Sequence, residues 1–194
     1  MLLFGLAAIE QQVFPGAAPA LEDSLILDVA KGDTRAFSEL YIRTHKSIYG
    51  FALSIVKNQQ DAEDVMQDTY LKVDRAAGSY QPRGKPMAWL LTIARNLALE
   101  RLRSRRDVPL EQEEDWHLWS AEDPTQAQED ALVLEAAMEL LGDEERQVVT
   151  LHALSGLKHR EIAALLGIPL ATVLSKYRRA LMKLKHYLEE VEQA

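Results

Sequence analysis

The sequence of 194 residues contains no cysteine. This absence excludes disulfide bonds, thiol catalysis and zinc sites built on thiolates, and it fits a reducing compartment. No apolar stretch approaches the roughly 18–20 residues that a membrane-spanning helix needs. The apolar start, MLLFGLAAIE, is shorter still and has no preceding Lys or Arg, unlike a signal peptide. We therefore expect a cytoplasmic protein without membrane insertion, in which residues 1–21 form an N-terminal extension.

Alternating strand patterns and Asn-Gly hairpin turns are also absent, whereas apolar residues recur at helical spacing. The sequence therefore predicts an all-α fold with two small helical domains, at residues 22–106 and 127–194. The segment 107–126 lacks a clean period and contains two prolines and several acids, so we interpret it as a linker.

Capping residues and glycines set the predicted helix limits. Asp33 and Asn58 are predicted N-caps, Pro86 is predicted in a first turn, and Gly32 is predicted just after a helix end. A first helix is predicted within EDSLILDVAKGD, ending before Gly32. The other predicted helices cover about 34–56, 59–76, 86–106, 127–141, 144–154, 159–166 and 170–190. The expected inward residues of the two long helices in the first domain are Phe37, Leu40, Tyr41, Ile48 and Phe51, and then Leu90, Ile93, Ala94, Leu97 and Leu102.

Charge is distributed unevenly along the chain. The net charge of −8 by itself argues against a nucleic-acid partner. Residues 85–106 nevertheless hold six Lys or Arg against one acid, and residues 158–185 hold seven against one. Between them, residues 111–130 hold eight acids and no Lys or Arg. Two basic blocks therefore flank an acidic one, and the pattern carries more information than the net charge.

The acidic segment DAEDVMQDTY, residues 61–70, places Asp61, Asp64 and Asp68 on one face of a predicted helix. That face has three interpretations: a solvated surface, a catalytic or metal site, or a surface for another protein. Catalysis lacks support, because no His lies at a useful spacing and no nucleophile–base pair or Gly-rich phosphate loop occurs. We expect no catalytic residue, no metal, no cofactor and no small-molecule substrate.

The segment HREIAALLGIPLATVLSKYRRALMKL, residues 159–184, has the pattern of a helix-turn-helix. Gly167 is placed to end a short helix in a left-handed conformation. In this motif the N-terminal end of the second helix enters the major groove of DNA. The positions predicted to be exposed there offer hydroxyl and basic groups to phosphates and base edges, and they are Thr172, Ser175, Lys176, Arg178 and Arg179. From the pattern alone, a plain helical hairpin with a solvated basic face is the alternative.

The first basic block contains aromatic residues as well. Tyr80 and Trp89 lie near Lys85 and Arg95 in sequence. Aromatics interleaved with cations suit single-stranded DNA, because bases stack on rings while cations follow the backbone. The alternative is that Trp89 belongs to the core and the arginines form a solvated face.

These motifs occur in an order that resembles the extracytoplasmic-function group of bacterial sigma factors. The resemblance is carried by DAEDVMQDTYLKV, WLLTIARNLALERLRSRR, an acidic linker, and LGDEERQVVTLHALSGLKHREIAALLGIPLATVLSKYRRALMKLK. It covers about residues 22–188. It implies a factor without catalytic activity that directs RNA polymerase core to promoters. The first domain would be region 2, which opens and reads the minus-ten element, and the second would be region 4, which reads the minus-thirty-five element.

The resemblance also implies roles for residues. Contacts to the clamp coiled coil of the largest polymerase subunit are expected at Asp61, Glu63, Asp64, Gln67 and Asp68. Contacts to minus-ten DNA are expected at Tyr80, Lys85, Trp89, Arg95, Asn96, Arg101 and Arg103. Contacts to minus-thirty-five DNA are expected at His159, Arg160, Thr172, Ser175, Lys176, Arg178, Arg179 and Lys183. The flap of the second-largest subunit and an anti-sigma factor are further implied partners.

The acidic linker is implied to thread the polymerase, although it could also cross the basic faces of the free protein. Its acids are Glu111, Glu113, Glu114, Asp115, Glu122 and Asp123. Two positions depart from the family pattern: Asp74 stands where an aromatic is usual, and Leu174 where the recognition helix usually carries a cation. The alternative of a sigma mimic that has lost DNA binding predicts loss of the basic faces, and both blocks are present.

Overall fold

The structure is a computed structural model that describes residues 21–105 and 136–192. Within these ranges the regular elements are all helical, as predicted. The predicted extension at 1–21 lies outside the described residues apart from its last residue. The predicted linker at 107–126 and its acids lie outside them entirely, as does most of the helix predicted at 127–141. In the described ranges every helix is too short or too polar to span a bilayer.

The N-terminal unit, residues 21–105, contains four α-helices and one short 3-10 turn. The helices are α1 (Asp23–Ala30), α2 (Thr34–Val56), α3 (Gln59–Ala76) and α4 (Pro86–Arg105), and the 3-10 turn covers Ala77–Ser79. The predicted limits of α2 and α3 and the predicted start of α4 are confirmed.

Local hydrogen bonds explain where these helices begin. The Asp33 side chain accepts from the backbone N–H groups of Arg35 (2.8 Å) and Ala36 (3.2 Å). The Asn58 side chain accepts from the N–H of Asp61 at 3.0 Å. Both satisfy backbone donors that a first helical turn leaves without partners. The end of α2 at Val56 matches the prediction, but the left-handed conformation that follows it was not predicted: Lys57 has φ of 54° without being glycine.

The core of the N-terminal unit lies between α2, α3 and α4, and α1 packs across it. Leu40, Ile48 and Phe51 are fully buried, as predicted. Tyr41 was predicted to point inward but is 40% exposed, because its ring lies at the surface edge of the core, stacked on His45. In α4, Leu91 is fully buried although it was not among the predicted inward residues.

The C-terminal unit, residues 136–192, begins with helical residues 136–139. It continues with α5 (Asp143–Ala153), α6 (His159–Leu166) and α7 (Leu170–Glu192). Gly167 ends α6 with φ of 72°, so the predicted helix-turn-helix is present. The buried Arg146 donates to the carbonyls of Met138 (3.0 Å) and Leu141 (3.1 Å) where the preceding helix ends, and the Met138 carbonyl also accepts from the N–H of Leu141.

The two units pack against each other through α2 and α5, and α4 also contacts α6. Gly50 of α2 lies in this contact, where a Cβ atom would be 2.9 Å from Leu154 Cδ1, so the Leu154 side chain would have to move to admit one. The Ser47 hydroxyl donates to the carbonyl of Leu154. Lys57 Nζ lies 2.9 Å from Asp143 Oδ1 at the edge of the contact. The described residues therefore form a closed arrangement of the two units.

Candidate protein and nucleic-acid interfaces

The predicted acidic face of α3 is only partly a surface. Glu63, Gln67 and Asp68 are exposed and Asp64 is half-exposed. Asp61 differs from them, because only 4% of it is exposed. Its position in the first turn of α3 points it toward α4 rather than toward solvent. Asp61 is therefore covered in this arrangement, and its contact with polymerase stays a prediction.

Arg101 of α4 explains why a carboxylate is buried there. Its Nε donates to Asp61 Oδ1 at 2.9 Å, and its Nη2 donates to Asp64 Oδ2 at 2.6 Å. The hydrogen bond to Asp61 and the negative charges of both aspartates raise the pKa of Arg101 despite the opposing effect of desolvation. Arg101 was predicted to contact minus-ten DNA. In the structure its guanidinium lies against the acidic face of α3.

One apolar residue extends the exposed face of α3. Leu71 is 56% exposed and lies seven residues after Asp64 and three after Asp68. These spacings put it on the same side of the helix as the two aspartates. Sequence reasoning missed it, although the spacing that identified the carboxylates also identifies this leucine. The described patch therefore combines acids with an aliphatic group, and we call Asp64, Gln67, Asp68 and Leu71 the α3 patch.

The loop before α4 is held by α1. The hydroxyl of Tyr80 donates to Asp23 Oδ1, and the N–H of Gly84 donates to Asp23 Oδ2 at 2.7 Å. The Tyr80 ring lies 4.9 Å from the Trp89 ring and is only 9% exposed. Burial, together with the neighbouring Asp23 carboxylate, raises the pKa of the Tyr80 phenol. Tyr80 is expected to contact DNA; in this arrangement its ring is buried against Trp89, and the DNA contact stays a prediction.

The predicted minus-ten residues of α4 divide between different sides of the helix. At about 100° per residue, Trp89, Asn96 and Arg103 fall on one stripe, with Lys85 at its N-terminal end. Asn96 and Arg103 are exposed, and Trp89 is half-buried. Arg95 and Arg101 lie about 120° from this stripe in opposite directions. The stripe, which we call the α4 stripe, is the part of the prediction that forms one continuous surface.

Some basic residues of α7 are paired with acids of α5, whereas one is exposed without an ion pair to a described residue. Lys176 pairs with Glu144, Arg179 Nε lies 3.2 Å from Glu145 Oε1, and Lys183 Nζ lies 2.7 Å from Glu145 Oε2. Both acids occupy the first turn of α5, where the helix dipole favours negative charge. These three cations are therefore drawn toward α5 in this arrangement.

Glu145 forms ion pairs with two of these cations, Arg179 and Lys183. Its burial by itself raises its pKa, but hydrogen bonds from Lys183 and from the N–H of Gly142, together with the charges of Lys183 and Arg179, outweigh that effect and lower the pKa. Arg160 and Arg178 are exposed and make no ion pair with any residue that the structure describes. They are the arginines of the helix-turn-helix that remain open for a partner.

His159 is placed in the packing of the helix-turn-helix. Its ring is stacked on His152 with centroids 4.5 Å apart and meets Tyr177 edge-on at 4.8 Å. His152 also lies 2.8 Å, through Nδ1, from the carbonyl of Leu157. The sequence predicted a DNA contact at His159, but the ring is occupied by these neighbours and joins α5, α6 and α7.

The described residues contain no group of three or more His, Cys, Asp or Glu that is arranged to hold a metal ion. The carboxylates that do converge, Asp61 and Asp64, are occupied by Arg101. The arrangement therefore provides surfaces for partners: an acidic and apolar patch on α3, a mixed aromatic and basic stripe on α4, and a helix-turn-helix with exposed arginines.

Comparison with known proteins gives matches in both units. The family model described as Sigma-70 region 2 matches residues 40–108, and the one described as Sigma-70, region 4 matches residues 131–184. An ECF RNA polymerase sigma factor SigK from Mycobacterium sp. (strain KMS) is 34% identical over 174 residues, covering 86% of this chain and 90% of the relative. SigM from Mycobacterium tuberculosis is 30% identical over 175 residues, covering 90% and 88%.

Solved structures with the same fold are similar in both units. CnrH, in complex with the cytosolic domain of CnrY, has a TM-score of 0.60 and 26% identity, covering 87% of this chain and 97% of that one. RpoE from Bartonella quintana, in complex with the anti-sigma factor NepR, has a TM-score of 0.65 and 25% identity, covering 80% and 98%.

Proposed function

The chain belongs to the extracytoplasmic-function group of bacterial sigma factors, and we propose that it binds RNA polymerase core and directs it to a dedicated set of promoters. The observation that carries this proposal is the presence of both sigma regions in one chain, each with an exposed surface of the appropriate chemistry. We propose that the chain has no catalytic activity of its own and acts in the cytoplasm, where polymerase and promoter DNA are found.

We propose that the α3 patch is the contact with the clamp coiled coil of the largest polymerase subunit. Gln67 and Asp68 are exposed, and Leu71 supplies apolar area beside them. An interface of this kind gains specificity from charge and affinity from buried apolar surface. Asp61 is buried below this patch and supports it indirectly, because its ion pair with Arg101 holds α3 against α4.

We propose that the α4 stripe holds the melted minus-ten strand. Trp89 offers a ring for base stacking, and Lys85 and Arg103 offer charge to phosphates. In the closed arrangement Lys85 Nζ lies 3.7 Å from Glu161 Oε1 of α6, so the C-terminal unit occupies one end of this stripe. Tyr80 contributes by supporting Trp89, and Asp23 contributes by holding Tyr80 and the loop.

Replacing Asp23 by alanine tests this support. The Tyr80 hydroxyl and the Gly84 N–H would both lose their carboxylate partner, and the loop before α4 would loosen. We expect promoter opening to become several-fold slower and the free energy of unfolding to fall by about 1–3 kcal/mol. Permanganate reactivity of unpaired thymines and thermal melting measure the two effects.

Asp28→Ala is the matched control, because Asp28 is an acid of the same helix whose side chain pairs only with the exposed Lys31 among the described residues. It should leave opening unchanged. If Asp23→Ala opens promoters at the normal rate, the loop does not depend on this carboxylate.

We propose that the helix-turn-helix docks on the minus-thirty-five element as duplex DNA. Arg160, Thr172 and Arg178 are available for phosphates or base edges near the N-terminal end of α7. Lys176, Arg179 and Lys183 are paired with Glu144 and Glu145, so their contacts with DNA would compete with these ion pairs. We also propose that this unit contacts the flap of the second-largest polymerase subunit.

We propose that an anti-sigma factor controls the chain. The basis is similarity to RpoE, which was solved together with the anti-sigma factor NepR. Such an inhibitor would compete for the α3 patch or for the DNA-reading surfaces.

In-vitro transcription with RNA polymerase core tests the proposed function directly. The purified chain should enable core polymerase to start transcripts from a defined subset of genomic promoters, and run-off sequencing would then give both promoter elements. Failure to initiate from any genomic promoter in the absence of an inhibitor would overturn the proposal.

A further inference from the structure

We infer that Leu174 reads a thymine of the upstream promoter element, by packing its side chain against the C5-methyl group of that base in the major groove. The inference deepens the proposed function and rests on it, because it takes α7 as the helix that enters the groove.

Leu174 lies in the second turn of α7 on the side that faces away from the core. Val173 and Tyr177 are buried against the rest of the C-terminal unit, whereas 47% of Leu174 is exposed. A leucine on that side contributes little to folding, because burial of apolar surface is what stabilises the fold. Its exposure in the absence of DNA therefore leaves its apolar surface available to a partner.

The polar neighbours of Leu174 are engaged within the protein. Ser175 Oγ donates to the carbonyl of Thr172 at 2.9 Å. Lys176 and Arg179 are paired with the acids of α5. In this part of α7, Leu174 and Arg178 are exposed, and neither makes a polar contact with a described residue. They are four residues apart and lie on the same side of the helix.

The charge around Leu174 favours DNA over an apolar peptide as the partner. Arg178 lies one turn away and Arg160 is exposed in α6, so an anionic partner is favoured. Within the major groove, the apolar group on a base edge is the C5-methyl of thymine. Leu174 can contact that methyl group, while Arg178 binds a phosphate or a guanine nearby.

A cation at this position would select differently. Arg or Lys in a recognition helix pairs with the O6 and N7 acceptors of guanine. Leucine has no donor and cannot satisfy those acceptors, so a guanine facing it would lose hydrogen bonds with water and gain none. The upstream element of this factor should therefore carry a thymine where a factor with Arg or Lys would prefer guanine.

Single-atom changes in the promoter test this inference. Holoenzyme containing the full chain is titrated onto a promoter obtained by run-off sequencing. Each thymine of the upstream element is replaced in turn by deoxyuridine, which lacks only the C5-methyl group. Loss of one buried methyl group should weaken binding about fourfold at one position. With Leu174→Ala, the same replacement should have no effect.

Met182→Ala is the matched control, because Met182 is also exposed on this side of α7 but lies two turns further from the N-terminal end. It should keep the sensitivity to deoxyuridine. Thermal melting of both variants should match the unmodified chain, since both side chains are exposed. Equal binding of all deoxyuridine promoters would overturn the inference, as would a sensitivity that persists in Leu174→Ala. Failure to bind any promoter would overturn the proposed function as well.

Discussion

Replacing Asp68 by lysine is expected to weaken binding to RNA polymerase core by at least tenfold. Asp68 is exposed on α3 and makes no ion pair with a described residue, and its charge acts on Arg101 only as a weaker influence than those of Asp61 and Asp64, so its reversal mainly removes a charge offered to a partner. A like charge placed at a complementary interface costs several kcal/mol, and each 1.4 kcal/mol is a factor of ten. Fluorescence titration of labelled protein with core polymerase measures the dissociation constant.

Asp68→Lys separates the docking role from folding better than a change at Asp64 would. Asp64 accepts a hydrogen bond of 2.6 Å from Arg101, so its replacement would also disturb the contact between α3 and α4. Glu190→Lys is the control, since Glu190 is an exposed acid near the end of α7 and its reversal makes the same change in net charge. Equal core affinities for Asp68→Lys and the unmodified chain would contradict the assignment of the α3 patch.

Replacing Gly50 by leucine is expected to separate the two units. A Cβ atom at residue 50 would lie 2.9 Å from Leu154 Cδ1 and 3.6 Å from Thr150 Cγ2, and leucine adds three further carbon atoms beyond that Cβ at the contact between α2 and α5. Each unit keeps its own core, so the helical content should be retained. Small-angle X-ray scattering should show a radius of gyration larger by several Å, because the units would move apart on the intervening segment.

The proposed function requires the same separation. The names of the two elements give their positions in base pairs before the transcription start, so the elements are about 25 base pairs apart. This separation is about 85 Å of straight duplex. Two touching units of this size have centres about 30 Å apart. The closed arrangement therefore cannot read both elements at once. Because Gly50→Leu removes the free energy that holds the units together, its affinity for core polymerase should equal or exceed that of the unmodified chain.

Gly78→Leu is the matched control, since a Cβ atom at Gly78 has no neighbour within 4 Å and its replacement leaves the α2–α5 contact intact. Its radius of gyration should not change. An unchanged radius for Gly50→Leu with full helical content would show that the units do not depend on this contact. Weaker core binding by an opened Gly50→Leu variant would contradict the requirement for separation.

The local part of the fold was predictable from sequence because its causes are local. Asp33 and Asn58 cap their helices by hydrogen bonds to residues two or three positions away, and Gly167 ends α6 by its own backbone freedom. The helix-turn-helix and its burial pattern follow from spacing within one segment. Lys57 escaped prediction, because its left-handed conformation has no signal in its residue type.

The site was predictable as a set of residue types but not as surfaces. Asp61 and Asp64 share a side of α3, yet Arg101, 40 residues after Asp61, buries one and pairs with both. Tyr80 has the composition of a stacking residue, but Asp23, 57 residues earlier, turns its hydroxyl inward. Each of these outcomes depends on which helices become neighbours.

The sequence by itself determined the helical class, most helix limits, the order of the two units and the family to which they belong. Those features depend on residues close together in the chain. The tertiary structure decided that Asp61 is buried, that the Tyr80 ring is buried with its hydroxyl bonded to Asp23, and that Lys176, Arg179 and Lys183 lie against the acids of α5. It also decided that Gly50 lets the units close on each other. The physical reason is that ion pairs and close packing join residues far apart in sequence, and no local pattern records which of two possible sides a charged residue will face.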